Sequence, residues 1–304
     1  MSKFHYGGQA VTEGVMMRGR YFYTIAVRTP DGGISVHKEW IHSWFSRWPA
    51  LRKPLLRGAV VFAESVVLGT KCRLDSACRS HGDVGGPESS SHVLFGLVWT
   101  AMLAVGLFVA LPGVMVSLLQ DTIASTPVLN VLEGLLKVGL LVGAAVLARL
   151  WPTYRRLFQY HGAEHMVINC WETKRSLKLE QVRRCSPIQV RCGMSFLLLA
   201  IVMSVVVIGV FGRPAVLERV LLHLAIWPVA LGLAFEVMLL AGRDPMPRWV
   251  RGLILPGIVL QYVTTANPDD QQLEVAVTAL KEAIAADRQY QESRKVIPFP
   301  LPAS

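Results

Sequence analysis

Four long apolar stretches restrict this chain more than any other feature. They run from 93 to 118 ("VLFGLVWTAMLAVGLFVALPGVMVSL"), 131 to 150 ("VLEGLLKVGLLVGAAVLARL"), 194 to 212 and 217 to 241. A helix that crosses a bilayer needs about 20 mostly apolar residues, and only a helix or a closed barrel satisfies its backbone polar groups away from water. With 52% of 304 residues hydrophobic and 17% charged, the composition agrees. The sequence therefore predicts an α-helical multi-pass membrane protein with about four transmembrane helices. A fifth run, "LILPGIVLQYV" at 253 to 263, is short and contains Pro256; it reads as interfacial or re-entrant.

Orientation follows from the 31 basic residues, because lysine and arginine concentrate in cytoplasmic loops. Twelve precede the first stretch, nine lie between Arg149 and Arg191, and seven lie from Arg243 onward. The loop "QDTIASTPVLN" has none, and the connection near "GRPAVLER" has only Arg213 and Arg219. Both termini and the central loop are thus expected in the cytoplasm, beneath the inner membrane of a bacterium. The first residues lack the apolar core of a signal peptide, so the first span is expected to act as the insertion signal. The net charge of +10 reads mainly as a topology signal, with attraction to anionic lipid headgroups in addition. The bilayer is the expected partner, a protein partner or a second copy stays open, and no nucleic acid is expected because no recognition motif accompanies the charge.

The remaining sequence divides into residues 1–78, a linker 79–92, the membrane part 93–265 and a C-terminal segment 266–304. "YFYTIAVR" and "ISVHKEWI" flank "TPDGG", which predicts a hairpin within a small β unit. "LLRGAVVFAESVVLG" (55 to 69) carries Glu64 and is short for a span; it is expected to be a helix that lies on the membrane or dips into it. "RSHGDVGGPESSSH" has linker composition. "NPDDQQLEVAVTALKEAIAADRQYQ" opens with a helix-start signal, and Leu273, Val277, Leu280 and Ile284 form one stripe. This amphipathic helix is expected to dock on the cytoplasmic unit and to leave the tail "VIPFPLPAS" loose. Five cysteines, none spaced as C-x-x-C, support neither a disulfide framework nor a thiolate zinc site.

Chemistry enters at "YHGAEHMVINC", residues 160 to 170. If the segment after Pro152 is helical, His161 and His165 share one face at i and i+4, with Glu164 about 60° away. H-x-x-E-H is the order of the inverzincin metalloproteases, in which two histidines bind zinc and the glutamate handles the proton of a bound water. A catalytic zinc usually takes a third protein ligand. Glu236, ionisable and inside the fourth stretch, is the leading candidate; Glu133 with Lys137 reads as an i,i+4 ion pair, and His223 as structural. At the N-terminus, "YGGQAVTEGVMMRGR" is neither a phosphate loop nor a dinucleotide fingerprint. Either it forms tight β-turns with Met16 and Met17 in a core, or Gln9, Glu13 and Arg18 contribute polar tips to a site.

"GGQAVTEGVMMRG", "YHGAEHMVINCWE", "RCGMSF", "LAGR" and "QYVTTANPDDQQLEVAVTAL" together resemble the YqhQ-like family, domain of unknown function family 1385, over about residues 6 to 282. The resemblance implies a metal-dependent membrane enzyme. It points to Gly7, Gly8, Gln9, Glu13 and Arg18, to His161, Glu164, His165, Asn169, Cys170 and Glu172, and to Arg191, Cys192, Gly193, Glu236, Asp269 and Asp270. Two departures matter. Met166 stands where the family has a basic residue, and Gln189 and Met194 replace the histidine and threonine of HPRCGTSF. A histidine ligand there would be missing here, which adds weight to Glu236.

Two readings follow. In one, His161, His165 and Glu236 hold a divalent metal, zinc first, while Glu164 acts as general base in a hydrolysis at the cytoplasmic face. Glu13 would then be a second catalytic group, and Gln9, Arg18, Asn169, Arg191 and Cys192 would bind substrate or support the site. In the other, the same cluster is a structural knot in a non-catalytic scaffold or assembly factor. A transporter is disfavoured by the absence of an inverted repeat.

Overall fold

Alternation of side chains on a short β sheet organises the N-terminal part of the chain. A computed structural model describes residues 4–82, 90–212 and 215–296. Strands β1 (Gly7–Val11), β2 (Gly14–Arg18), β3 (Phe22–Arg28) and β4 (Ile34–Trp40) form an antiparallel meander in that order. The expected hairpin is β3–β4, with Phe22 opposite Trp40 and Arg28 opposite Ile34. "YGGQAVTEGVMMRGR" forms the preceding hairpin, with Met17 and Met16 buried on opposite faces.

Both faces of the sheet are covered. Val15, Met17 and Ala26 pack against α6 (Pro152–Glu172) and α11 (Asp270–Val296). Met16, Ile25 and Val27 pack against Leu68 and Cys72 of α2 (Leu56–Ser80). Burial on two faces explains why Val15, Met16 and Met17 of β2 run apolar without alternating. Leu273, Val277 and Leu280 sit in the core, with Ile284 packed at its edge, so the predicted stripe docks as expected. Asp269 and Gln272 cap each other's backbone N–H at the start of α11 (2.8 and 2.9 Å), a capping box. Further along, Asp287 accepts from the N–H groups of Arg20 and Tyr21 (2.6 and 2.9 Å), which pins α11 to the β2–β3 turn.

Four helices are long and apolar enough to cross a membrane: Leu94–Ser117, Thr126–Ala148, Gly193–Phe211 and Leu217–Ala241. The first comprises α3 (Ser90–Val105) and α4 (Leu111–Ser117), joined by a widened turn over Gly106–Ala110. The others are α5 (Thr126–Ala148), α8 (Gly193–Ile208, with a 3-10 turn to Phe211) and α9 (Val216–Ala241). Two short helices, α1 (Trp44–Arg47) and α7 (Leu179–Val182), decorate the connections.

Three expectations change. The second span begins at Thr126 rather than 131, since Pro127 suits a first helical turn. The segment read as a short surface helix is a 25-residue helix, α2, that continues through the proposed boundary at 78 and packs along α9. Pro256 does not break its run: α10 (Arg248–Thr264) is continuous and packs on α8 and α5, with Gly257 against Ser195. Residues 83–89 of the linker and 297–304 of the tail lie outside the described residues.

Candidate metal centre

The predicted helix after Pro152 forms, with Pro152 in its first turn. Its middle is squeezed between the sheet and the chain leaving α10. A Cβ at Gly162 would sit 2.1 Å from the Ala266 carbonyl oxygen, so only glycine allows this approach. The contact brings the end of α10 onto α6: Ala266 N–H donates to Phe158 O (2.9 Å), and His161 Nδ1 donates to Thr264 O (2.8 Å).

His165 is held in the same way, Nδ1 to Pro187 O at 2.7 Å. A carbonyl oxygen only accepts, so in each neutral ring the proton is on Nδ1 and Nε2 carries the lone pair. The rings lie 4.4 Å apart, centroid to centroid. Cys192 caps the N-terminus of α8, and its Sγ lies 3.4 Å from His161 Nε2. Among the described residues His161, His165 and Cys192 form a group whose ligand-capable atoms all lie within 4.8 Å of one another.

The glutamate of the motif is close by. Glu164 is buried against β1, where a Cβ on Gly8 would meet its Cγ at 2.9 Å, and a backbone hydrogen bond from Gly8 reaches its carboxylate. Burial pushes Glu164 up to about 8, so near neutrality it is mostly a neutral acid. Burial, with help from His161, pulls His165 down to about 3, and burial lowers His161 as well. Burial also pushes the Cys192 thiol up to about 12, to which the charge of nearby Glu164 adds. Both rings are thus neutral and the thiol protonated at ordinary pH.

The remaining residues singled out in the sequence fall into two groups. Asn169 supports the cluster: its Nδ2 donates to Ser186 O and Ile188 O (2.7 and 2.9 Å), either side of the Pro187 carbonyl that orients His165. Arg191, next to Cys192, pairs with Glu172, which also meets His5 Nδ1 at 3.0 Å. The others point elsewhere. Glu236 is not in the cluster, because Arg57 takes its carboxylate through Nε and Nη2 (2.8 and 2.5 Å). Glu13 accepts from Arg156 Nε (2.6 Å) and Tyr160 OH (3.4 Å), in the turns of α6 before His161. Arg18 donates to Glu64 (3.0 Å), and the Gln9 amide lies on Gly69 of α2.

Cys192, not Glu236, is the third ligand-capable side chain beside the two histidines; the three come from two separated segments, so C-x-x-C spacing gives no guide to them. Sequence reasoning also missed Gln261. Fully buried, it accepts from Gln189 N–H (2.9 Å) and donates to Gln189 O (2.7 Å) and Ser195 Oγ (2.8 Å), fixing the segment that carries Cys192. A glutamine inside an apolar run was the available signal.

Residues 53–286 match the family described as "Protein of unknown function (DUF1385)". The chain is also 32% identical over 305 residues to the "Uncharacterized protein YqhQ" of Bacillus subtilis (strain 168), covering 95% of each chain. No solved structure matches it. With more than half of its length inside the family match and a curated relative aligned end to end, the chain belongs to the DUF1385 family.

Proposed function

We propose that the protein is a metal-dependent, hydrolase-type enzyme at the cytoplasmic face of a bacterial inner membrane, with both termini in the cytoplasm. The observation that carries this reading is the tautomer lock: two histidines give their Nδ1 protons to main-chain carbonyls, His161 turns its Nε2 to the Cys192 sulfur, and one ligand-capable atom from each of His161, His165 and Cys192 lies within 4.8 Å of the others. Carbonyl partners of this kind orient histidine ligands and raise their basicity. Two imidazoles and a thiolate suit zinc, and three protein donors leave a fourth position open.

Bound there, a zinc ion would supply Lewis acidity and an acidified water. The chain's own residues do the rest. Thr264 and Pro187 fix the rings, and Asn169 holds the Pro187 turn. Glu164, adjacent to the cluster and raised by burial, is the proposed acid–base group: it gives a proton in its protonated form and accepts one only in its ionised fraction, which grows as pH rises through about 8. Glu13 and Arg18, engaged with Arg156 and Glu64, act as positioning residues of the β unit. Because Cys192 immediately precedes a membrane-crossing helix, a substrate would be met at the membrane boundary.

A structural reading has one observation in its favour: Glu13–Arg156 and Glu172–His5 also tie the sheet and its leading residues to α6. Elemental mass spectrometry of the detergent-purified chain separates the two. About one zinc per chain, lost in His161→Ala with His165→Ala and kept in Glu164→Gln, supports the enzyme. No metal after reconstitution makes the cluster a knot.

A further inference from the structure

A second site lies between α1, α2 and α9. Phe45, Arg52, Arg57, Val61, Phe235 and Leu239 line a groove of about 350 Å³, within the usual range for a ligand pocket, roughly 300–1,000 Å³. Its walls are apolar and its charges unequal. Arg57 lies over the Phe235 ring (5.9 Å to the centroid) and is neutralised by Glu236. Arg52, by contrast, only donates to the Phe45 carbonyl (3.2 Å). Among the described residues Arg47, Arg52 and Lys53 have no carboxylate partner.

Position in the fold says what would balance them. Phe235 and Leu239 belong to the last two turns of a helix that crosses the membrane and ends at Ala241, so the groove sits where the bilayer gives way to water. Trp44 and Trp48 beside it are 45% and 60% exposed, and Leu55 and Leu56 are 41% and 50% exposed. Exposed tryptophans next to unpaired basic residues are the pattern of a segment resting at headgroup level.

We propose that this groove binds an anionic phospholipid, with its phosphate on Arg52 and the cations beside it, and an acyl chain along Val61, Phe235 and Leu239. A guanidinium matches a phosphate in geometry as well as charge. A free phosphate would leave the apolar walls unused. Glu236, conspicuous in the sequence as an ionisable residue in a span, has its role here: it cancels Arg57 at the groove, so that the attraction is concentrated at Arg52.

Native mass spectrometry of the full-length protein in detergent tests this with phosphatidylglycerol, phosphatidylcholine and inorganic phosphate as probes. The expected result is retention of phosphatidylglycerol over phosphatidylcholine by about tenfold, the effect of one charge-assisted contact. Arg52→Gln, at an exposed position, and Val61→Trp, which fills the groove without changing charge, should each abolish that preference. Arg184→Gln, on the exposed turn after α7, should not. Equal retention of both lipids, retention of phosphatidylglycerol by both groove variants, or displacement of the lipid by inorganic phosphate would overturn the site.

Discussion

Two polar clusters, one near each end of the helical bundle, look alike in composition and differ in how their charges are used. At the end opposite the candidate metal centre, Glu133 of α5 meets Arg219 and His223 of α9 and Lys137 of its own helix, all at 2.6–3.0 Å and all buried. Asn130 takes a further donor from Arg219 (2.7 Å), and Gly212 O takes another (3.1 Å). Every strong donor there has an acceptor, and one carboxylate is shared by three bases. In the His161 cluster two imidazoles and a thiol come together with no charged partner, and among the described residues no cation pairs with the buried carboxyl of Glu164 nearby. Saturated networks hold helices together, whereas unspent donor capacity in a buried cluster is what a ligand needs. Composition alone cannot separate the two; the partners of each atom can.

That contrast can be broken at either end. The largest effect is expected at the hub of the saturated network. Glu133→Ala strands an arginine and a lysine inside the bundle and should cost about 3–5 kcal/mol, read by denaturant unfolding in detergent, with metal content unchanged in the fraction that stays folded. Gly162→Ala comes next. Its methyl group meets the Ala266 carbonyl, so stability should fall by about 1–3 kcal/mol as α10 is pushed off α6, and metal should be lost with Thr264's hold on His161. Asn169→Ala touches no donor atom yet frees the Pro187 turn; zinc affinity should drop about 10–100-fold in a chelator competition while the melting temperature moves little. Smallest of all is Arg183→Ala. Its pair with Asp270 is more than half exposed on both sides, and less than about 1 kcal/mol should be lost.

The reach of the sequence reading varied with how local each interaction is. The four spans, the β3–β4 hairpin and the α11 stripe depend on periodicity within one segment, and each is visible in a window of residues. The His161–His165 pair is equally local, since helix geometry alone puts i and i+4 on one face. Cys192 entered only through the family resemblance, as a substrate-binding or supporting residue, because its place beside His161 comes from tertiary closure across 31 residues. The atoms that set the tautomers belong to the main chain of Thr264 and Pro187, and a carbonyl carries no residue-type signature. Glu236 was misassigned for a related reason: an ionisable residue in a span announces that it needs a partner, but the partner, Arg57, is 179 positions away. Gly162 offered a usable clue. A glycine inside a helix costs about 1 kcal/mol relative to alanine, and another backbone passing close by is a frequent reason to keep it.

The claim that His161, His165 and Cys192 form one metal site is tested most directly by loading the detergent-purified chain with cobalt(II) and recording its absorption spectrum. One bound cobalt with a thiolate-to-metal band is predicted, the band absent in Cys192→Ser while some cobalt is retained by the two histidines. Uptake of no cobalt, or a band that survives the loss of Cys192, would contradict it.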